Sequence, residues 1–375
     1  MKQTLLLGLV LLTLLVYAPV RHAGFVYEDA VYVDPAQRAI TQGEVLAPRG
    51  LTALSFRANA RLAGQDPRSY HAVNVFVHVL VGLMVYQLAA LLLPPGYALL
   101  TCALFLLHPL QTEAVAYVAG RAELISALGA VTAVWAMAQP TVTWAHVGLA
   151  LVALVVAIGG KELGIVAIPL IGLYTALVRK PSRSWRLWGA AGAALGVAAV
   201  FLVPILRSRI LGNTYLDHSE RGWLGYAALQ STAAWTMLRL SLLPVGQTVD
   251  HDIETVTKIG SLGALAVGIA LLVWAWRQRH RWPVVAFGIA WLFVCLAPRF
   301  VVRITEYINE HQFYLPMVGI CLALSAGVMH VNAWLIHRAN PHTSEWPPAR
   351  YRSTKEPSCD EPVSVPISVP SVPYS

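Results

Sequence analysis

Charge is what this sequence has least of. Only 12% of its 375 residues are Asp, Glu, Lys or Arg, against 57% apolar. A soluble domain carries about a quarter charged residues, so a surface facing water all round is excluded. Mean hydropathy is +0.60, in the range of integral membrane proteins. Cysteine is equally scarce. Cys102, Cys295 and Cys321 lie in apolar runs and Cys359 near the C-terminal end, and no pair has the spacing of a zinc site or a disulfide framework. The net charge of +8 would suit a nucleic-acid partner. The basic residues, however, sit in short clusters between apolar runs, as topology signals do, so no nucleic acid is expected.

What the sequence has in abundance is apolar runs. About 20 residues at 1.5 Å rise cross a ~30 Å hydrocarbon core, so runs of about 16 to 25 are spanning candidates. Ten lie near 3–20, 70–93, 97–116, 122–138, 144–160, 163–178, 186–206, 259–276, 283–298 and 313–336. The first reads as an uncleaved span, since no small-x-small site precedes Arg21. Run 226–243 contains Arg239, and an Arg at a helix centre costs about 2.5–3.5 kcal/mol on insertion. It is expected to dip in or lie along the surface; if it spans, the count becomes eleven. The expectation is an all-α, multi-pass integral membrane protein over 1–337. Residues 338–375, with eight prolines and seven serines, bury too little apolar surface to offset ordering and are expected to be a disordered cytoplasmic tail.

With the N-terminus in the cytoplasm, Arg179, Lys180, Arg183 and Arg186 fall in one cytoplasmic connection and Arg277, Arg279 and Arg281 in another. Neither contains an acid, and every acid before 338 falls on the other side. The long loop 21–69 and the region 207–258 are then non-cytoplasmic. So are the polar clusters FVYEDAVYVDP (25–35), HPLQTEAVAYVAGRAEL (108–124), GGKELG (159–164), VDHDIE (249–254) and RITEYINEHQFYLP (303–316). Polar groups at membrane depth are expensive and mark function by default. From Tyr97 to Leu107 is about 16 Å of helix, too short to cross, so His108, Pro109 and Glu113 are carried to membrane depth. Irregular backbone there is tolerated where it lines protein or a watery cavity, which points to a cavity opening outward.

Individual residues leave two readings open. Glu28 and Asp29 are a helix cap, or a general base and a divalent-cation site. His71, Asn74 and His78 share one helix face, which favours inter-helix hydrogen bonding. Lys161 snorkels or binds a phosphate. Arg303 and Glu306 are an interface ion pair or a lipid-phosphate contact.

Taken in order, the clusters resemble the membrane part of the transmembrane-and-TPR O-mannosyltransferase family, within the GT-C glycosyltransferase fold. FVYED resembles the family's F-x-Y-D-D, with Glu28 for the first Asp. RGLTALSFRANARLAGQDPRSYHAVNVFVHVL (49–80) follows its next block, with Gly50 for Pro. HPLQTEAVAYVAGRAELIS, GGKELGIVAIPL, LSLLPVGQTVDHD and EYINEHQFYLPMVGICLAL continue the order to about 320, with His251 for a usual Tyr and an enlargement at Asn309–His311. No 34-residue period of the TPR kind is present in these residues.

The resemblance implies a GT-C-like bundle with a long first outer loop. It implies an inverting transferase of a mannose-like sugar from a polyprenyl-phosphate donor to a protein or glycan acceptor, working in lipid on the non-cytoplasmic face. Asp29 would be the catalytic residue, with Glu28 its partner or, if a divalent cation takes part, a ligand beside it. Arg121, Lys161 and Arg303 would bind the donor phosphate. Arg49, His108, Glu113, Glu123, Glu162, Asp250, His251 and Glu306 would line the cavity. The compact size favours a bacterial inner membrane over the endoplasmic reticulum. A non-catalytic binder of lipid-linked sugar, or a transporter using the same cavity, are the competing readings.

The topology has a direct check. In a cysteine-free background, single cysteines at 252 and 279 are expected to label from opposite sides of the membrane. The expected sides are non-cytoplasmic for 252 and cytoplasmic for 279, and the reverse would make 226–243 a span.

Overall fold

A computed structural model describes residues 2–26, 29–33, 49–179, 223–248, 251, 258–301 and 309–339. Every regular element among them is helical. The longer helices are α1 (Lys2–Tyr17), α3 (Gly50–Ala63), α4 (Pro67–Leu92), α5 (Pro95–Leu107), α7 (Arg121–Met137), α8 (Trp144–Gly160), α9 (Ala167–Leu177), α10 (Trp223–Leu242), α11 (Lys258–Gln278), α12 (Pro283–Val301) and α13 (Tyr314–Ala339). Two short ones, α2 (Asp29–Val33) and α6 (Thr112–Ala116), sit in the connections. The protein is an all-α, multi-pass membrane protein.

Local chemistry sets the boundaries. The Asp66 side chain accepts the Arg68 N–H at 3.1 Å and Pro67 opens α4, so cap and proline act together. Pro94 and Pro95 separate α4 from α5. Gly64, at φ 63°, closes α3 in a conformation that costs glycine little.

Among the described residues, five helical stretches are long and apolar enough to cross a membrane: Gln3–His22, Pro67–Leu92, Val118–Met137, Pro283–Phe300 and Glu310–Ala339. The expected span 97–116 is instead a broken one, Pro95–Leu107 followed by Pro109–Ala116 and bent by 50°. His108–Pro109 is the break, as the shortness of the first piece requires. Trp144–Gly160, Glu162–Leu177 and Leu262–Gln278 are apolar but shorter. Expected spans 144–160 and 163–178 are short because the chain leaves the helix at Lys161 and re-enters through the 3-10 turn Glu162–Val166. Run 226–243 forms a continuous helix, α10, which is not among those apolar enough to cross. Run 186–206 lies outside the described residues, as do 340–375.

Internal packing divides the chain into Met1–His330 and Val331–Ser375. In the second, Arg338 lies 5.4 Å from the Trp334 ring. The first has an apolar outside: Leu151, Val152 and Val155 of α8 are exposed, while Asp29, Asn74, His78, Gln111 and Arg121 are fully buried. That inversion is what a lipid solvent selects.

Small residues let α7 and α8 approach closely. A Cβ built on Gly129 would lie 2.4 Å from Ala157 N and 2.5 Å from Ala153 O. Such contact maximises dispersion where lipid offers no hydrophobic drive between helices. Gly129→Val is expected to destabilise by about 2 kcal/mol or more through overpacking. Gly148→Val, with nothing within 4 Å of its Cβ position, is expected to leave stability unchanged. Thermal unfolding in detergent measures both.

Candidate functional site

The site grows from the stretch that follows the helix break at His108. His108 Nδ1 accepts the Leu110 N–H at 3.1 Å and its Nε2 donates to Ser241 O at 3.1 Å, tying the break to α10. The chain then runs through α6 and the 3-10 turn Val118–Gly120 into α7. A Cβ on Gly120 would lie 2.3 Å from Ala114 O, so the turn closes only with glycine there.

Asp29, at the first position of α2, is fully buried against this turn. Its Oδ1 accepts the Ala119 N–H at 2.8 Å and its Oδ2 the Val26 N–H at 3.0 Å. Burial pushes the carboxyl above the usual Asp value, and the two N–H donors pull it part of the way back. His71 Nε2 donates to Ala23 O at 3.2 Å and anchors the strand of chain leading to Asp29.

Arg121, also fully buried, opens α7. Its Nε donates to Asn74 Oδ1 at 2.8 Å, and one terminal nitrogen to Asn59 Oδ1 and Tyr70 O, each at 3.0 Å. The guanidinium lies 4.2 Å from the Phe56 ring centroid. Phe56 packs with Tyr70, Val33 and Val118, and Phe25 and Tyr32 close over that cluster.

Two ion pairs stand on the α8 side. Lys161 Nζ donates to Glu123 Oε1, with both side chains nearly buried. Arg49 reaches Glu162 at 3.3 Å and the Tyr32 hydroxyl at 3.3 Å, and its side chain remains 33% exposed. Burial works against the Arg49 charge, but the Glu162 carboxylate and the Tyr32 oxygen together outweigh it and hold the guanidinium further toward its charged form. Arg49 sits at φ 63°, a strained position for a side chain with a Cβ.

A third group surrounds the 3-10 turn Glu310–Phe313. Glu113 accepts from His311 N at 2.9 Å and Nδ1 at 2.7 Å. Glu310 accepts from Gln247 Nε2, Thr248 N and His251 Nε2, each at 3.1 Å.

Of the expected site residues, Asp29, Arg49, Arg121, Lys161, Glu123 and Glu162 thus meet around α3, α7 and α8. His108, Glu113 and His251 meet beside α10. Glu28, Asp250, Arg303 and Glu306 lie outside the described residues. Among the described residues no group of three or more His, Cys, Asp and Glu is placed to hold a metal ion. Asn59, Tyr32 and Glu310 were not anticipated. An amide set between Arg57 and Arg61 was the available signal for Asn59, and the NEHQ enlargement for Glu310. Asn74 and His78 do bond between helices as their spacing suggests: His78 Nδ1 meets the Tyr314 hydroxyl at 2.7 Å.

Known proteins bear on this geometry. Protein O-mannosyl-transferase TMTC3 of Homo sapiens is 31% identical over 135 residues, 35% of this chain and 15% of that protein. Protein O-mannosyl-transferase Tmtc1 of Drosophila melanogaster is 32% identical over 191 residues, 45% of this chain and 22% of its own. TMTC4 of Homo sapiens aligns over 346 residues at 23% identity, 74% of this chain. The chain is a relative of these proteins through its membrane-domain part. It spans between 15% and 46% of their lengths. No protein-family model and no solved structure matches.

In this relative of the TMTC proteins, the Lys161–Glu123 pair joins α8 to the start of α7. Lys161→Met strands a buried carboxylate and is expected to cost about 3–5 kcal/mol, much of it recovered by adding Glu123→Gln. A thermal-unfolding double-mutant cycle in detergent reads the coupling. A loss in the double variant equal to the sum of the two single losses would show the pair to be energetically idle.

Proposed function

We propose that the chain transfers a mannose-like sugar from a polyprenyl-phosphate donor to a hydroxyl of a protein or glycan acceptor, at the non-cytoplasmic face of the membrane. The observation that carries this reading is the naming of its relatives: TMTC3, Tmtc1 and TMTC4 are each called a protein O-mannosyl-transferase. The location of the buried charges at one set of helix ends supports it.

In this reading Asp29 is the general base. The acceptor O–H gives its proton to the carboxylate as its oxygen attacks the anomeric carbon. The bond from that carbon to the phosphate oxygen breaks, and the lipid phosphate departs with the electron pair. One displacement inverts the configuration. The N–H groups of Val26 and Ala119 fix the carboxylate without using all of its lone pairs. Cations stabilise the charge that builds on the departing phosphate. Arg49, partly exposed, and Lys161 are the described candidates for that contact, with Arg303 assigned by resemblance. Arg121 is fully buried and donates to Asn74, Asn59 and the Tyr70 carbonyl, which favours an indirect role.

A second reading is a non-catalytic relative that binds a lipid-linked sugar. The full burial of Asp29 and the Glu28 substitution favour it. Purified protein incubated with radiolabelled polyprenyl-phosphate mannose separates the two by release of the lipid phosphate. Asp29→Asn is expected to lower release by about 10²–10⁴-fold while expression and dispersity stay as in the wild type. Wild-type release in the Asp29→Asn variant would remove Asp29 as base, and no release from the wild type with any sugar donor would favour the binder.

A further inference from the structure

We infer that Asn74 is a positioning residue that aims the Ala119 N–H at Asp29, with Arg121 locking its amide in the one orientation that does so. The inference rests on the reading of Asp29 as the base.

Asn74 Nδ2 faces three carbonyls of the connecting stretch, Val115 at 3.3 Å, Tyr117 at 3.0 Å and Val118 at 3.3 Å. Two hydrogens serve three acceptors, so the carbonyls converge on one amide. A peptide plane that points its carbonyl one way points its N–H the other. Drawing the Val118 carbonyl toward α4 therefore turns the Ala119 N–H away from it, and Asp29 Oδ1 accepts that N–H at 2.8 Å. Gly120 N donates to Tyr117 O at 3.0 Å and keeps the turn tight.

An amide can flip, and here the wrong orientation would set oxygen against three carbonyls. Arg121 removes that choice. A guanidinium only donates, so the Asn74 atom at 2.8 Å from Arg121 Nε has to be the oxygen. Asn59 is used the same way, with Oδ1 toward Arg121 and Nδ2 donating to Ser69 Oγ at 2.8 Å. A permanent, fully buried cation thus fixes the polarity of a backbone turn 41 to 44 residues along from Asn74 and, through it, the frame around the carboxylate. The spacing of His71, Asn74 and His78 on one face of α4 finds its purpose here: one holds the approach to Asp29 and the next holds the turn behind it.

Asn74→Asp isolates the role. It keeps the shape and gives Arg121 a carboxylate, so the cage stays packed, but it replaces the donor with an acceptor facing three carbonyls. Amide hydrogen exchange of the peptide spanning 113–121 is expected to speed up by about tenfold or more, the loss of roughly one hydrogen bond's protection. In the same preparation, sugar transfer is expected to fall about a hundredfold in kcat with the donor KM unchanged, as for a displaced reacting group. Asn74→Gln, which keeps the amide, is expected to recover part of both. Exchange and kcat at wild-type values in Asn74→Asp would overturn the inference, and so would faster exchange with wild-type kcat. The exchange measurement needs no substrate. If the wild-type protein transfers no sugar, the catalytic reading fails by itself, while unchanged exchange in Asn74→Asp would refute the clamp whatever the activity.

Discussion

A guanidinium cannot shed its charge, and Arg121 carries one into a place that described residues close to water. Leaving such a charge unsolvated costs several kcal/mol, and the protein dipoles that offset this reach Nε and one terminal nitrogen, the other terminal nitrogen having no hydrogen-bond partner among the described residues. They come from three segments: Asn59 and the Phe56 ring from α3, Asn74 and the Tyr70 carbonyl from α4, and the helix start that Arg121 itself opens. The demand of one side chain therefore docks α3 on α4 and both on α7. Asp29 and the residues around it inherit their places from that docking, since the turn they lean on is held by the same amide.

The remaining charges obey the same accounting by pairing. Lys161 meets Glu123, Arg49 meets Glu162, and the two carboxylates at the Glu310–Phe313 turn region meet histidines. Close pairing needs backbones that come close, and here glycine and alanine provide it. Gly129 against Ala153 and Ala157 brings α7 and α8 together, so that Glu123, two turns earlier on α7, reaches the residue that ends α8. Small residues and buried charges are thus one device. Without the close contact the ion pair would be stretched, and without the pair the close contact would bury a bare carboxylate.

This division explains what could be read from the amino acids alone. The apolar runs announced the helices, because hydrocarbon admits little else, and the shortness of 97–107 announced the break at His108. The clusters around 29, 121 and 161 were legible as costly polar groups at membrane depth. Which acid meets which base was not. Glu162 is next to Lys161 in sequence yet pairs with Arg49, while Lys161 crosses to Glu123, and that choice depends on the turn Glu162–Val166 rotating adjacent side chains to different neighbours. The family resemblance made Arg121 a candidate phosphate contact. Its enclosure was not readable, because it follows from Asn59 and Phe56 arriving from a helix far along the chain. Asn74 looked like helix-helix glue, which it is, but what its amide does for the next turn emerges only when three carbonyls are seen to converge on it.

The chemistry asked of such a site makes rigidity an advantage. A base that must accept a proton while a sugar–phosphate bond breaks works best when its carboxylate is already oriented, because reorganising it during the reaction adds to the barrier. Asp29 has one N–H on each oxygen, from parts of the chain about 90 residues apart. Rotation of the carboxylate would break both bonds. The same two bonds lower the cost of ionising a buried acid without satisfying it fully, which on the proposed reading leaves lone pairs for a substrate hydroxyl. Burial pushes the Asp29 carboxyl toward its neutral form, and its hydrogen bonds draw it back toward the charged one. Its position between those limits depends on a turn held rigid from behind, which ties the reactivity of the carboxylate to a charge that never touches it.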